Sequence, residues 1–411
     1  MHAVLVLPRF HPYRGGYENS LLAIGRCLIG RGHRVTVFTT TADDLEALWV
    51  PGYKTFPVGT FSLDGMTVRR LAISYNAVAR RLTRFAGLVP YWKWKAQYWR
   101  PGFHVPGLHA ALHEIDADVF HVGPLPYNNL IYQGIAAAVA RGVPVIATPC
   151  AHFGEPGNSE IARHYVQPHQ IELMRRCDRV LCMTSVEARQ LAARGVASHK
   201  LVVIGYGIDR ELAIGGDGER IRRKHHIDGQ VVLHLGMKAF DKGSVTLFEA
   251  MKQLWAQGST AWLIMAGPSL RAFDEYIAAQ GQYFPRFVNL PAFADGEKRD
   301  FLAAADLVAQ PSRVESLGLV LMEAWANARP VIAADIDVSR HLVCESGGGV
   351  VVPFGDSDRL AIELMQMLDD SGKRLTMGTA GQKIAQNYDG RVLWQRNADQ
   401  FEEVVGGLRE R

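Results

Sequence analysis

Two glutamates, Glu315 and Glu323, stand eight residues apart in RVESLGLVLMEAW, a stretch otherwise built mainly from Leu, Val, Met, Ala and Trp. Carboxylates are costly to bury unless something pairs with them or binds to them. A carboxylate accepts hydrogen bonds side by side, which suits the vicinal hydroxyls of a ribose or a hexose. DLVAQPS reads as a strand running into a loop and GLVLMEAWANA as the helix after it, so Glu315 falls on the loop and Glu323 on the helix. Backbone N–H groups around Gly318 and Leu319 would then face an anion at the helix entrance. One segment could hold sugar, phosphate and ribose together. Spacing alone equally allows a surface acid at 315 and a glutamate at 323 paired to a neighbouring domain.

Two glycine loops add to this chemistry. PRFHPYRGGYENS follows the first apolar run and precedes a helix, with Gly15 and Gly16 where backbone could approach a ligand closely. It is not GxGxxG, and no GxxxxGK[ST] occurs, so dinucleotide and P-loop sites lack their fingerprints. MKAFDKGS repeats the arrangement after VVLHLG, and Lys242 sits just before Gly243 at the entrance of the helix VTLFEAMKQLW. Lysine there is a suitable counter-charge for a diphosphate; its plain alternative is an exposed loop lysine. Metal signals are poor. Asp116/Asp118 and Asp335/Asp337 form two D-x-D strings that read as strand-end residues, and His109 and His113 lack the HExxH arrangement.

The elements that must position these residues alternate strand and helix. HAVLVLP, HRVTVFTT, DVFHVG, VPVIATPC, RVLCMTS and KLVVIGYG read as buried strands. After the glycine- and charge-rich GYGIDRELAIGGDGERIRRKHH a second series begins: QVVLHLG, TAWLIMAG, RFVNLPAF, DLVAQPS, RPVIAAD and GGGVVVPFG. The chain of 411 residues exceeds what one core accommodates. The pattern predicts an α/β fold of two Rossmann-like doubly wound domains facing a cleft, with ligands beyond the carboxyl ends of the strands. The expected boundaries are 1–205 for the first domain, 206–388 for the second, and 389–411 for a closing helix.

Composition is 48% hydrophobic and 21% charged, with a formal charge of +4. That is ordinary for a soluble protein and too weakly basic to argue for nucleic acid. Five scattered cysteines at 27, 150, 177, 182 and 344 form no CxxC pair and read as reduced, buried thiols. The opening MHAVLVLPRF lacks a signal peptide's basic region, and no apolar run is long enough to span a bilayer. The expected location is cytoplasmic, with a peripheral contact on the inner membrane face as a further option.

PSRVESLGLVLMEAWANARPVIAAD resembles the signature of the retaining nucleotide-sugar glycosyltransferases of family 4, of GT-B fold: an E-x7-E pair within PS-x-x-E-G/S-x-G-L-x-x-x-E-A, followed by PVIA. The resemblance extends over nearly the whole chain. Pro12, Gly15, Gly16 and Glu18 repeat the family's P-x-x-GG-x-E, and RGHRVTVFT its second strand. KLVVIGYGID is similar to its hinge strand, LGMKAFDKGS to its G-R-x-x-x-x-K-G element, and GGGVVVPFGD to a late strand of the donor domain.

The resemblance implies a hexosyltransferase-type enzyme that moves a sugar from a UDP- or GDP-sugar to a hydroxyl of a glycan, lipid-linked or small-molecule acceptor, without metal or other cofactor. Glu323 would bind the nucleotide ribose and Glu315 the donor sugar. Leu317, Gly318 and Leu319 would present backbone amides, Lys242 would neutralise the diphosphate, and Gly16, beside Gly15, would approach it from the first domain. His152, in TPCAHFGE, matches the histidine near the reactive centre. Met237 departs from the family, which has Arg there; Lys238 beside it is the substitute candidate for the donor. Ala328-Arg329 replaces the small glycine before PVI. The departures leave a second option, a catalytically weak donor-binding homologue acting as a regulatory or assembly partner. YWKWKAQYWR offers Tyr91, Trp92, Trp94 and Trp99 as acceptor-side candidates, their rings suited to stack on sugars or to lie at a bilayer interface; a packed loop explains them equally.

Overall fold

The computed structural model describes residues 1–13, 15–75, 103–281, 283–291, 293 and 295–409. They pack as two units: Met1–Ala151, Ala162–Tyr206 and Val392–Arg411 in the first, His152–Ile161 and Gly207–Arg391 in the second. The short piece His152–Ile161 thus packs away from its sequence neighbours on either side.

The first unit is built on β1 (His2–Val6), β2 (Arg34–Thr40), β3 (Gly59–Leu63), β4 (Met66–Leu71), β5 (Val119–Val122), β6 (Val145–Ala147), β7 (Arg179–Cys182) and β8 (Leu201–Val203). Their order is β3-β4-β2-β1-β5-β6-β7-β8. All neighbours are parallel except β3 and β4. Every residue of β1 and β5 is buried, which explains why these strands read as continuous apolar runs rather than alternating ones. The β3–β4 hairpin is an addition to the pattern expected from sequence. Its turn is Asp64-Gly65, both at positive φ (49° and 82°), the Asp-Gly chemistry of a two-residue hairpin. The last helix, Gly390–Arg409, contributes to this unit from Val392 onward. Arg31 bonds to Asp399 and Glu402 at 2.8 and 3.0 Å, Asn397 Nδ2 donates to the Gly205 carbonyl at 3.0 Å, and Phe401 is fully buried.

The second unit holds β9 (Val231–Leu235), β10 (Trp262–Ala266), β11 (Phe287–Leu290), β12 (Leu307–Gln310), β13 (Val331–Ala334) and β14 (Gly349–Val352), all parallel in the order β11-β10-β9-β12-β13-β14. Apolar residues at helical spacing seal its core. Leu247, Met251 and Leu254 come from the helix Ser244–Ala256, and Leu360, Leu364 and Met367 from Ser357–Asp369. Each unit is therefore a doubly wound α/β domain. In each, the strand order reverses beside the first strand, between β1 and β5 and between β9 and β12, where such sheets take their ligands. No helix among the described residues is long and apolar enough to cross a membrane.

Candidate functional site

The loops after β9 and β12 meet at the switch point of the second unit. Gly243 makes this possible. Its φ is 71°, and a Cβ there would run into the Pro311 carbonyl oxygen, so the β9 loop reaches the β12 loop only with glycine at this position. Lys242, the residue before it, consequently donates to the Val314 carbonyl at 2.6 Å and to Glu315 Oε1 at 2.9 Å. An ammonium has three N–H groups, so one remains for a ligand. His152 joins them: its ring bonds to the Glu315 backbone, and burial, then the Lys242 ammonium, push its pKa down to about 4. It is a neutral imidazole throughout the physiological range. His152, Lys242 and Glu315, 163 positions apart along the chain at their extremes, thus form one cluster.

Behind the cluster lies a buried scaffold. His234 on β9 lies between the Ala309 carbonyl (Nδ1, 3.2 Å) and the Ser244 hydroxyl (Nε2, 3.0 Å), and Ser244 Oγ in turn accepts the Ala239 N–H at 3.1 Å. The network ties β9, β12 and the first turn of Ser244–Ala256. In the first unit Glu187 is fully buried and accepts the N–H groups of Ala151 and Met183, each at 2.6 Å. It fastens the backbone immediately before His152. Burial raises its pKa to about 7.

Gly318, at φ 76°, opens the helix Leu319–Ala326 without a side-chain cap. Leu317 and Gly318 are buried, and the first N–H groups of the helix have no intrahelical partner. One turn on, Glu323 is 5% exposed. Its Oε1 pairs with Lys298, and its Oε2 is buried with no hydrogen-bond partner. Lys298 gave no signal in the sequence, because it lies 25 residues away on a polar helix.

Other expected residues fall elsewhere. Gly15 precedes the helix Gly16–Gly30 in the first unit as an uncapped N-cap. A Cβ on Gly15 would strike the Glu18 carboxylate, which is buried and faces Arg9 at 3.8 Å. Lys238 is a correction. Lys238 forms an isolated bridge with Ser269, and it and Ala239 are buried while Met237 is half-exposed. It is 1% exposed, and its Nζ donates to Asn289 Oδ1 at 2.6 Å and to the Leu290 carbonyl at 2.9 Å. Burial lowers its pKa to about 8. As placed, it offers no charge to a diphosphate. Not all thiols are interior: Cys150, Cys177 and Cys182 are buried, Cys27 is partly so, and Cys344 is exposed. Asp118 accepts the His2 N–H at 2.6 Å and Asp335 holds Arg340 at 2.6 Å. Tyr91, Trp92, Trp94 and Trp99 lie outside the described residues.

Residues 217–384 match the family described as glycosyl transferases group 1, and residues 14–212 match glycosyltransferase family 4. The chain belongs to these glycosyltransferases. It is 29% identical over 255 residues to a D-inositol 3-phosphate glycosyltransferase of Kineococcus radiotolerans, a match covering 57% of this chain and 58% of that protein. The chain therefore spans little more than half the length of that relative. A phosphatidyl-myo-inositol mannosyltransferase of Mycolicibacterium smegmatis is 24% identical over 99% of this chain and 95% of its own. Among solved structures, Anabaena Alr3699/HepE in complex with UDP and glucose superposes with a TM-score of 0.72 at 20% identity, over 98% of this chain and all of that one. The fold is that of the GT-B glycosyltransferases.

Proposed function

We propose that the protein transfers a hexosyl group from a nucleoside-diphosphate sugar, UDP- or GDP-linked, to a hydroxyl of a glycan, lipid-linked or small-molecule acceptor, with retention of configuration and without a divalent metal. The observation that carries this reading is Glu323. A carboxylate oxygen buried without a partner costs free energy, and the paired hydroxyls of a ribose would satisfy it. The diphosphate then extends along the entrance of Leu319–Ala326 toward Lys242, and the sugar toward Glu315 and His152. The UDP and glucose bound by the Anabaena protein support a uridine donor.

In the reaction the bond between the anomeric carbon and the diphosphate oxygen breaks as the acceptor oxygen bonds to that carbon on the same face. The acceptor proton passes to the leaving phosphate. The matched pattern places no carboxylate as an obvious nucleophile for a double displacement. Charge growing on the diphosphate is met by the third Lys242 N–H and the helix N-terminus, groups already fixed in position. Neutral His152 donates or accepts a hydrogen bond at the sugar without adding charge. Cytoplasmic action, with peripheral membrane contact through residues 91–100, belongs to the same proposal. Product formation from UDP- or GDP-sugars with EDTA present tests it; a strict metal requirement would count against the charge assignment. The second reading, donor binding without turnover, is favoured by one observation, Met237 with Lys238 turned inward. Binding of a nucleotide with neither transfer nor donor hydrolysis would select it.

A further inference from the structure

Arg313 lies between Pro311-Ser312 and Glu315, on the loop that carries the cluster. Its Nη2 sits 3.0 Å from Glu155 Oε1 and 3.0 Å from Glu160 Oε2. Its guanidinium covers the Phe354 ring at 4.7 Å, and its backbone N–H donates to the Asp241 carbonyl at 3.0 Å. The side chain is 15% exposed, so the ion pair with Glu155, itself 19% exposed, is partly desolvated. Glu160 is 58% exposed and counts for less.

The two carboxylates reach one guanidinium because residues 154–160 form a tight turn. Gly154 is at φ 75°, the Asn158 N–H donates to the Glu155 carbonyl at 3.0 Å, and Asn158 Oδ1 accepts the Glu160 N–H at 2.9 Å. Phe153 and Ile161 are buried at its ends. The turn lies within His152–Ile161, the piece that packs with the second unit although its neighbours in sequence belong to the first. Arg313 is thus joined to all three members of the cluster: to Lys242 through Asp241, to Glu315 through two peptide bonds, and to His152 through the turn.

We propose that Arg313 is a positioning residue, a clamp that holds the His152 turn on the donor domain through Glu155 and so sets the imidazole against Lys242 and Glu315. The inference rests on the glycosyltransferase reading for its effect on turnover, though not for its effect on His152. A misplacement of about 1 Å at a reacting centre can cost about a hundredfold in rate. Release of the turn acts on kcat, because the contacts of Glu323 and the helix entrance to the nucleotide do not involve it.

The test combines kinetics, calorimetry and NMR on the full chain. Arg313→Gln and Glu155→Gln should each lower kcat about tenfold or more while the Kd for UDP or GDP, whichever binds, stays within about twofold. The reversed pair Arg313→Glu with Glu155→Arg should recover part of the loss, and Glu160→Gln should change little. In the NMR titration, His152 should titrate near 4 in the wild type and closer to the ordinary histidine value in Arg313→Gln. Unchanged kcat in both single variants, a loss of nucleotide affinity in place of kcat, or an unmoved His152 titration would each overturn the clamp. If the wild type transfers no sugar, the glycosyltransferase reading fails and the His152 titration alone decides the clamp. If Arg313→Gln does not fold, Glu155→Gln carries the comparison.

Discussion

At the residue scale the site rests on three carboxylate and cation placements with different consequences. Lys242 and Glu315 hold each other, so removing one leaves the other exposed to the ligand with the wrong neighbour. Lys242→Met should lower kcat/KM by about a hundredfold or more, since it removes the fixed cation that meets leaving-group charge; Lys238→Met should leave nucleotide binding within about twofold. Equal effects of the two substitutions, measured by steady-state kinetics and calorimetry, would undo the distinction drawn between an available and an inward lysine. Glu315 and Glu323 were legible from their spacing inside an apolar stretch. Lys298, Glu155 and Arg313 were not. Their partners stand 25 to 158 residues away, and a charged residue on a polar helix or loop carries no local sign of what it will meet. Lys238 was misassigned because its ammonium turns inward to Asn289 Oδ1 and the Leu290 carbonyl, partners 51 and 52 residues away that the local sequence does not announce.

At the scale of elements, glycine and its absence mark where the backbone is constrained. Gly243 combines positive φ with contact against the Pro311 carbonyl. Gly243→Ala should destabilise the protein by more than the roughly 1–2 kcal/mol of the left-handed conformation alone, and should also displace Lys242. Urea unfolding and nucleotide titration of the same variant check both halves. Ala328 is the reverse case. It ends the helix Leu319–Ala326 at φ 53°, with the Ala328 N–H donating to the Trp325 carbonyl at 2.8 Å and the Arg329 N–H to the Ala324 carbonyl at 2.9 Å. That is a Schellman ending with alanine where glycine is favoured. Ala328→Gly should therefore stabilise by about 1 kcal/mol, read as a higher urea midpoint with unchanged slope; a lower midpoint would contradict it. The strands were readable because their apolar runs are continuous. The β3–β4 hairpin was passed over despite its Asp-Gly turn, because its partly exposed strands lack such runs.

At the scale of the whole molecule, buried neutral histidines set the response to acid. Burial lowers His121 to about 3 and both His152 and His234 to about 4. The unfolded chain binds these protons near 6.5, so between 6.5 and 4 it holds more protons than the folded one. Stability is then full above about pH 6.5 and falls as pH drops toward the folded values. Glu187, raised to about 7 by burial, acts in the opposite sense between about pH 7 and 4.5, but one carboxyl against three imidazoles leaves a net loss on the order of several kcal/mol. Denaturation midpoints at pH 7.5, 6 and 5 should decline with increasing slope; a flat profile would mean that these imidazoles charge in place. The two-domain α/β plan followed from chain length and the repeated strand–helix pattern. That residues 152–161 pack with the second unit did not, because the partners of Glu155 and Glu160 lie at Arg313, more than 150 positions along the chain.

In the proposed function Glu323 keeps one carboxylate oxygen, buried and unpaired, for the ribose of a sugar nucleotide. Calorimetric titration of UDP and GDP into the wild type and into Glu323→Ala, without added metal, tests it most directly. One nucleotide should bind the wild type, and the variant should bind it about 10- to 100-fold more weakly, the effect of losing charge-assisted hydrogen bonds. A folded variant that binds as tightly as the wild type, or a wild type that binds neither nucleotide, would contradict it.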